Sequence, residues 1–88
     1  MTTSADRASS QVKATGAQFQ GDVLQVSLND GREIGVPFKR VEWLQWLASA
    51  TEEQRAKWSL EPGGFAIYWD DLDDGIEISR LLDIDPLA

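Results

Sequence analysis

The segment LQVSLNDGREIGVPF, residues 24–38, determines the fold, because apolar and polar residues alternate on both sides of a turn sequence. The apolar positions form two sets of three: Leu24, Val26 and Leu28, and then Ile34, Val36 and Phe38. Alternation with a period of two is typical of strands that bury one face. The segment therefore predicts a β-hairpin.

The length of the turn decides whether both apolar sets face the same side. A two-residue Asp30–Gly31 loop would send them to opposite faces of the sheet, because shifting the register by one residue reverses every side chain. A three-residue loop instead pairs Val26 with Ile34 and places Gly31 in the left-handed conformation that favours glycine. Only this register builds a single apolar face, so we predict it.

A second hairpin is predicted upstream. A two-residue loop at Gly21–Asp22 pairs Phe19 with Leu24 and Ala17 with Val26, which extends the same apolar face. The result is a three-stranded antiparallel meander. Such a sheet is marginal alone, so other elements must cover its apolar side.

We expect the cover to be a main helix over residues 39–48. Its apolar stripe contains Trp43, Trp46, Leu47 and Ala50. Residues 51–54 read Thr-Glu-Glu-Gln, which has the form of a capping box and predicts a short second helix from Thr51 to about Lys57.

One further strand is predicted after the turn at Pro62, Gly63 and Gly64, because Phe65, Ile67 and Trp69 alternate with smaller or polar residues. Ile76 and Ile78 suggest a short extended piece, and Ser79 is a candidate cap for a last helical turn.

The predicted fold class is α+β: a three-stranded antiparallel meander plus a further strand, packed against one main helix and a short second helix. Residues 12–85 form a single domain in this interpretation. The polar residues 1–11 are expected to be a disordered tail.

The residue types that are missing exclude most enzyme chemistry. The 88 residues contain neither Cys nor His. Disulfides, thiolate metal sites and nucleophiles activated by histidine are therefore impossible. We expect no cofactor, no metal site and no catalytic residue. A signal peptide or membrane segment is not visible either, so a cytoplasmic location and no membrane contact are expected.

The net charge of −7 is concentrated near the C-terminus, where residues 70–88 carry seven acidic side chains and one basic one, Arg80. The candidate interaction surface contains Asp70, Asp71, Asp73, Asp74 and Glu77. Such a surface repels phosphate backbones and favours a cationic partner, although a merely solvated face is the alternative. A calcium loop aligned on Gly75 would place Leu72 and Leu81 at ligand positions, which argues against it.

Trp43 and Trp46 are the second part of the candidate surface. Burying all four tryptophans of so small a chain is difficult, and a partly exposed indole is a typical interface anchor. A partner or a homodimer could use it.

Residues 30–82 resemble a small prokaryotic family known only as domain of unknown function number twenty-four forty-two. The matching residues include Asp30, Gly31 and Arg32; the Ala50-Thr51 pair with Gln54 and Arg55; and Trp69, Leu72 and Asp73. This chain has Tyr68 where the family often has histidine, and Gly75 where the family tends to have an acidic residue. The resemblance implies a compact α+β domain encoded beside another small protein, an arrangement similar to a toxin–antitoxin pair.

The preferred hypothesis is a non-enzymatic protein-interaction module, the acidic antitoxin-like member of a two-gene pair, with a small basic protein as partner and no direct nucleic-acid binding. An accessory domain in transcriptional regulation is the alternative. A carboxylate-based hydrolase is the third hypothesis, but it would need an apolar cleft around one acid.

Overall fold

The computed structural model describes residues 12–84. Over that range the chain forms two three-stranded antiparallel sheets and several short helical segments, which confirms the α+β class. The first sheet has the order β1 (Ala14–Gln20), β2 (Val23–Leu28) and β3 (Glu33–Val36). The predicted tail, residues 1–11, lies outside the described residues, as does the predicted end of the domain at residue 85.

Both predicted hairpin registers are confirmed. Val26 lies opposite Ile34, and Phe19 lies opposite Leu24. Gly31 has a φ angle of +93°, in the left-handed region that a residue with a Cβ rarely adopts. The meander therefore has the single apolar face that the alternation predicts, and its inward side chains are Leu24, Val26, Leu28, Ile34 and Val36.

The loop between β2 and β3 is closed by Asp30. Its carboxylate accepts hydrogen bonds from the Arg32 backbone N–H at 3.0 Å and from Arg32 Nε at 2.8 Å. The backbone hydrogen bond, together with the guanidinium of Arg32, lowers the pKa of the Asp30 carboxyl. The turn is thus held by local contacts in addition to strand pairing.

The predicted main helix over residues 39–48 is not continuous. The segment consists of 3₁₀ turns at Phe38–Arg40 and Glu42–Leu44, followed by the short helix α1 (Gln45–Ala48). The break is at Val41, whose backbone is extended with φ −95° and ψ 119°. Gln45 Nε2 donates to the Val41 carbonyl at 3.1 Å, so the break leaves this acceptor satisfied. It allows each turn to bury one apolar side chain, namely Phe38, Leu44 and Leu47.

The predicted second helix is present as α2 (Glu52–Arg55). The Gln54 backbone N–H donates to Thr51 Oγ1 at 3.1 Å, and the Thr51 N–H donates to Gln54 Oε1 at 3.0 Å. This reciprocal pair is the capping box that the spacing predicts. Local hydrogen bonds of this kind explain how so short a helix is fixed in place.

The second sheet is larger than the single further strand that we predicted. It has the order β4 (Trp58–Leu60), β5 (Ala66–Trp69) and β6 (Asp74–Glu77), and the helix α3 (Ile78–Ile84) follows it. The predicted strand corresponds to β5, which is the central strand. The extended piece predicted at Ile76 is present as β6, but Ile78 is helical rather than extended, and Ser79 lies inside α3 and does not precede it.

Phe65 corrects a second expectation, because it does not share the buried face of Ile67 and Trp69. Its side chain is 45% exposed, whereas both of theirs are fully buried. The reason is that β5 begins only at Ala66, so Phe65 still belongs to the turn that leads into the strand. Its ring lies under the Lys13 ammonium, with 5.3 Å between Nζ and the ring centroid.

Arg55 connects the helical layer to the core. Its Nη1 donates to three backbone carbonyls near the end of α1, those of Leu47, Ala48 and Ala50. The guanidinium carbon lies 5.1 Å from the centroid of the Phe38 ring. The backbone carbonyl of Arg55 accepts from Trp69 Nε1 at 2.9 Å. Arg55 therefore connects α1 and Phe38, which cover the first sheet, to β5 of the second sheet.

The two sheets meet at one end of β1. The Ala14 N–H donates to the Gly64 carbonyl at 2.7 Å. A Cβ on Gly64 would lie 2.8 Å from the Ala14 oxygen, and its φ angle is +74°, so only glycine fits.

Across residues 12–84, no helix is long and apolar enough to span a lipid bilayer.

The first prediction concerns the centre of this core. Trp69→Ala should lower the free energy of unfolding by about 3–5 kcal/mol, because it removes a fully buried indole. The measurement is urea unfolding followed by circular dichroism. The control is Phe65→Ala, which truncates an exposed ring and should change stability by less than about 0.5 kcal/mol. A loss below about 1 kcal/mol for Trp69→Ala would contradict the described packing.

Candidate functional site

The candidate acidic surface is built on the connection between β5 and β6. Asp70–Leu72 forms a 3₁₀ turn, and Asp73 follows in the left-handed conformation with φ 51°. We call residues 70–74 the acidic turn. Leu72 is half-buried against the core, which anchors the turn as its apolar character predicts. The Asp70, Asp71 and Asp73 side chains are exposed, whereas Asp74 is half-buried.

Tyr68 lies within this negative field. Its hydroxyl donates a hydrogen bond to Asp73 Oδ1 at 2.6 Å. That bond, together with burial and the nearby charges of Asp73, Asp70 and Glu61, raises the pKa of the Tyr68 hydroxyl to about 12. The carboxylates of the acidic turn and Glu61 thus act on a single phenol group.

Gly75 explains how the Tyr68 ring reaches the turn. It is the cross-strand partner of Tyr68 in the pairing of β5 with β6. A Cβ on Gly75 would lie 2.7 Å from the Ile67 oxygen and 3.0 Å from Tyr68 Cδ1. A side chain at this position would therefore not fit unless the backbone of β5 or the Tyr68 ring moved.

Positive charge near the acidic turn is sparse. Lys57 Nζ lies 3.8 Å from Asp71 Oδ2, and both side chains are substantially exposed. Such an exposed ion pair contributes little to the free energy of folding, because water and salt screen the attraction. Glu77, at the end of β6, is also exposed. Within residues 12–84 no three acidic groups converge as metal ligands would. The exposed carboxylates therefore form a surface of negative charge at this end of the second sheet.

The two candidate tryptophans belong to a different part of the fold. Trp43, in the second 3₁₀ turn, is half-buried, and the Arg80 guanidinium carbon lies 3.8 Å from the centroid of its ring. Trp46, in α1, is also half-buried and meets Trp69 edge-on with 5.7 Å between ring centroids. The ring contacts of the two indoles are with Arg80 of α3 and with Trp69 of the core, and among the described residues neither indole has a hydrogen bond to a carboxylate of the acidic turn.

Sequence reasoning missed a cleft between the edge strands β1 and β4. It has a volume of about 480 Å³, and its lining residues are Ala17, Gln18, Phe19, Gly21, Glu52, Arg55, Ala56 and Trp58. Two chain segments supply them, residues 17–21 and residues 52–58, and only the tertiary placement of the second segment beside β1 brings them together. No local pattern could have revealed the cleft.

The second prediction concerns Tyr68, which is the only tyrosine in the chain. The alkaline absorbance change of tyrosinate should have its midpoint at about 12, above the ordinary value of 10.0. Because folding raises this pKa, the contribution to stability is present below pH 10.0 and is lost as the pH rises towards 12. Asp73→Gly should move the midpoint back towards the ordinary value, since it removes the acceptor.

Asp71→Asn is the matched control for Tyr68, because it removes a charge of the same turn that does not contact the phenol. Its midpoint should stay at the wild-type value. A wild-type midpoint at the ordinary tyrosine pKa would show that the hydrogen bond to Asp73 does not form in solution.

Comparisons with known proteins identify a family but no activity. The family model "Protein of unknown function (DUF2442)" matches residues 14–86. A crystal structure of a protein of unknown function from Rhodospirillum rubrum ATCC 11170 is similar, with a TM-score of 0.70 and 20% identity. The match covers 82% of this chain and 86% of that chain, and at this identity it concerns the fold alone. A search of curated proteins gave no match. The chain belongs to the DUF2442 family.

Proposed function

We propose that this chain is a non-enzymatic protein-interaction module that binds a small basic protein through its acidic turn. The observation that carries the proposal is the exposure of Asp70, Asp71 and Asp73 on one ordered turn, where Lys57 is the one weak counter-ion among residues 12–84. Clustered charge of one sign raises the local potential and accelerates encounter with an oppositely charged partner.

The turn is ordered by hydrogen bonds rather than left as a loose charge run. The Asp73 N–H donates to the Asp70 carbonyl at 3.2 Å. The Gly75 N–H donates to Asp74 Oδ1 at 2.8 Å, and the Tyr68 hydroxyl holds Asp73. A fixed arrangement of carboxylates loses less conformational freedom on binding than a flexible one, which supports specific recognition.

The location of the carboxylates favours binding over catalysis. General acid catalysis by a carboxyl group needs apolar surroundings that raise its pKa. The acidic turn is instead an exposed connection between two strands. The cleft beside β1 contains one carboxylate, that of Glu52, so the described residues do not supply the pair of facing acids that glycoside hydrolysis uses.

The same charge pattern specifies the partner more closely. A nucleic-acid surface would require clustered Lys and Arg, whereas this end of the chain is negative. A small basic protein complements it. The antitoxin-like role in a two-gene pair is the finer form of the proposal, and the family resemblance described above motivates it.

The third prediction tests the acidic turn with two variants that each remove four negative charges. The turn variant combines Asp70→Asn, Asp71→Asn, Asp73→Asn and Asp74→Asn. The control variant combines Asp22→Asn, Glu33→Gln, Glu42→Gln and Glu53→Gln, all exposed and outside the turn. Asparagine keeps the acceptor oxygens that hold the turn, so the stability of the turn variant should change by less than about 0.5 kcal/mol per site.

Each protein is then used as bait for affinity purification from the native host. A basic protein should co-elute with the wild type and the control variant but be reduced at least about tenfold with the turn variant. Its association rate with the wild type should fall as salt shortens the Debye length to roughly 8 Å at 0.15 M. An equal loss of capture with both variants would show that net charge, and not the acidic turn, governs the interaction.

A further inference from the structure

We propose that the cleft between β1 and β4 is a docking site for an extended, positively charged segment of another protein, which adds to the edge of β1 as a further strand. The inference rests on the proposed function, because it names the surface that would hold the basic partner once the acidic turn has attracted it.

The lining of the cleft shows that it runs along the edge of β1. Ala17, Gln18 and Phe19 are successive residues, and all three contribute to it. Successive side chains of a strand point to opposite faces, so a surface that all three reach follows the strand edge. β1 is an edge strand of the first sheet. The cleft therefore gives access to its backbone.

The pairing with β2 determines which backbone groups point outward. The two-residue turn at Gly21–Asp22 is closed by the pair Gln20 and Val23, which is hydrogen-bonded in such hairpins. Alternate pairs of an antiparallel ladder are not hydrogen-bonded. Ala17 and Phe19 occupy these alternate positions, so their N–H and C=O groups point away from β2. Among residues 12–84, no other strand pairs with this part of β1.

Ala14 shows that the backbone groups of β1 that point away from β2 form hydrogen bonds where an acceptor is available. Its N–H donates to the Gly64 carbonyl at 2.7 Å, in the turn between β4 and β5. Further along β1, at Ala17 and Phe19, the strand edge faces the cleft instead of a hydrogen-bond partner among residues 12–84. An added strand would continue, at Ala17 and Phe19, the hydrogen bonding that Ala14 begins. Strand addition of this kind derives affinity from main-chain hydrogen bonds and specificity from pockets for alternate side chains.

The walls of the cleft provide the side-chain pocket. Phe19 and Trp58 are both half-buried and leave part of their rings accessible, and Ala17 and Ala56 keep the space between them open. The volume of about 480 Å³ is within the usual range of ligand sites. An apolar side chain of the added strand would fill it.

Charge determines the chemistry of the segment. The chain carries a net −7, and Glu52 lines the cleft with an exposed side chain that has no salt-bridge partner in the described range. Arg55 also lines the cleft, but its Nη1 is bound to three backbone carbonyls and its guanidinium stacks on Phe38. Arg55 keeps its positive charge but is half-buried, so the exposed charged side chain of the lining is Glu52, which favours lysine- or arginine-rich segments over acidic ones.

The experiment uses the full chain and three synthetic peptides. The first alternates lysine and valine around a central phenylalanine. The second has the same sequence with backbone N-methyl groups at alternate residues, which removes hydrogen-bond donors and keeps the charge. The third replaces every lysine by glutamate. Binding is followed by NMR and by amide hydrogen exchange.

The first peptide should bind and slow the exchange of the Ala17 and Phe19 amides, whereas N-methylation should weaken binding about tenfold or more. The glutamate peptide should not bind. Glu52→Gln should weaken binding about two- to fivefold, and Glu53→Gln, which removes the same charge from the same helix outside the cleft, should not.

Two results would overturn the proposal. The first is equal binding of the methylated and unmethylated peptides. The second is a protein dimer in sedimentation analysis with the Ala17 and Phe19 amides already protected, since a second copy would then occupy the edge. Both leave the acidic turn untouched, because its test depends on the turn and control variants. Conversely, loss of partner capture with the turn variant concerns the proposed function alone, because it does not report on the protection of the Ala17 amide.

Discussion

The hydrogen bonds of Arg55 are the interaction on which the rest of the structure depends. Its Nη1 ties three carbonyls that end α1, and its own carbonyl receives the Trp69 indole N–H. The first contact fixes the helical layer that covers the first sheet, and the second fixes the central strand of the second sheet. Arg55 therefore links the two sheets through two different groups, its guanidinium on the α1 side and its backbone carbonyl on the β5 side, and this link helps to position the cleft and the acidic turn. Lysine could not replace it, because the planar guanidinium also stacks on Phe38.

The local parts of the fold could be predicted from the sequence, and the long-range parts could not. The register of both hairpins follows from alternation and turn length, which act over a few residues, so Val26–Ile34 and Phe19–Leu24 were predictable. The capping box at Thr51 is equally local. The helix break at Val41 is different. It arises because Phe38, Leu44 and Leu47 must all reach the core, a tertiary demand that overrides the helical period.

The same distinction applies to the candidate site. The acidic turn is visible as a run of aspartates, but its order depends on Tyr68, which pairs with Gly75 across two strands. The cleft depends on β4, a strand of three residues that carries too little alternation to be recognised. Phe65 was wrongly assigned to the buried face because alternation alone does not show where a strand begins.

Lys57 connects the acidic turn to the segment that lines the cleft. Lys57 pairs with Asp71 of the turn, while its neighbours Ala56 and Trp58 line the cleft. The two surfaces would contribute differently to an interaction. Exposed carboxylates act at a distance and mainly raise the association rate, whereas strand hydrogen bonds and a filled apolar pocket form only on contact and mainly slow dissociation. In the proposal made above, a basic partner with an extended segment is captured through the turn and retained through the edge of β1, so the association rate and the dissociation rate depend on different surfaces of the domain.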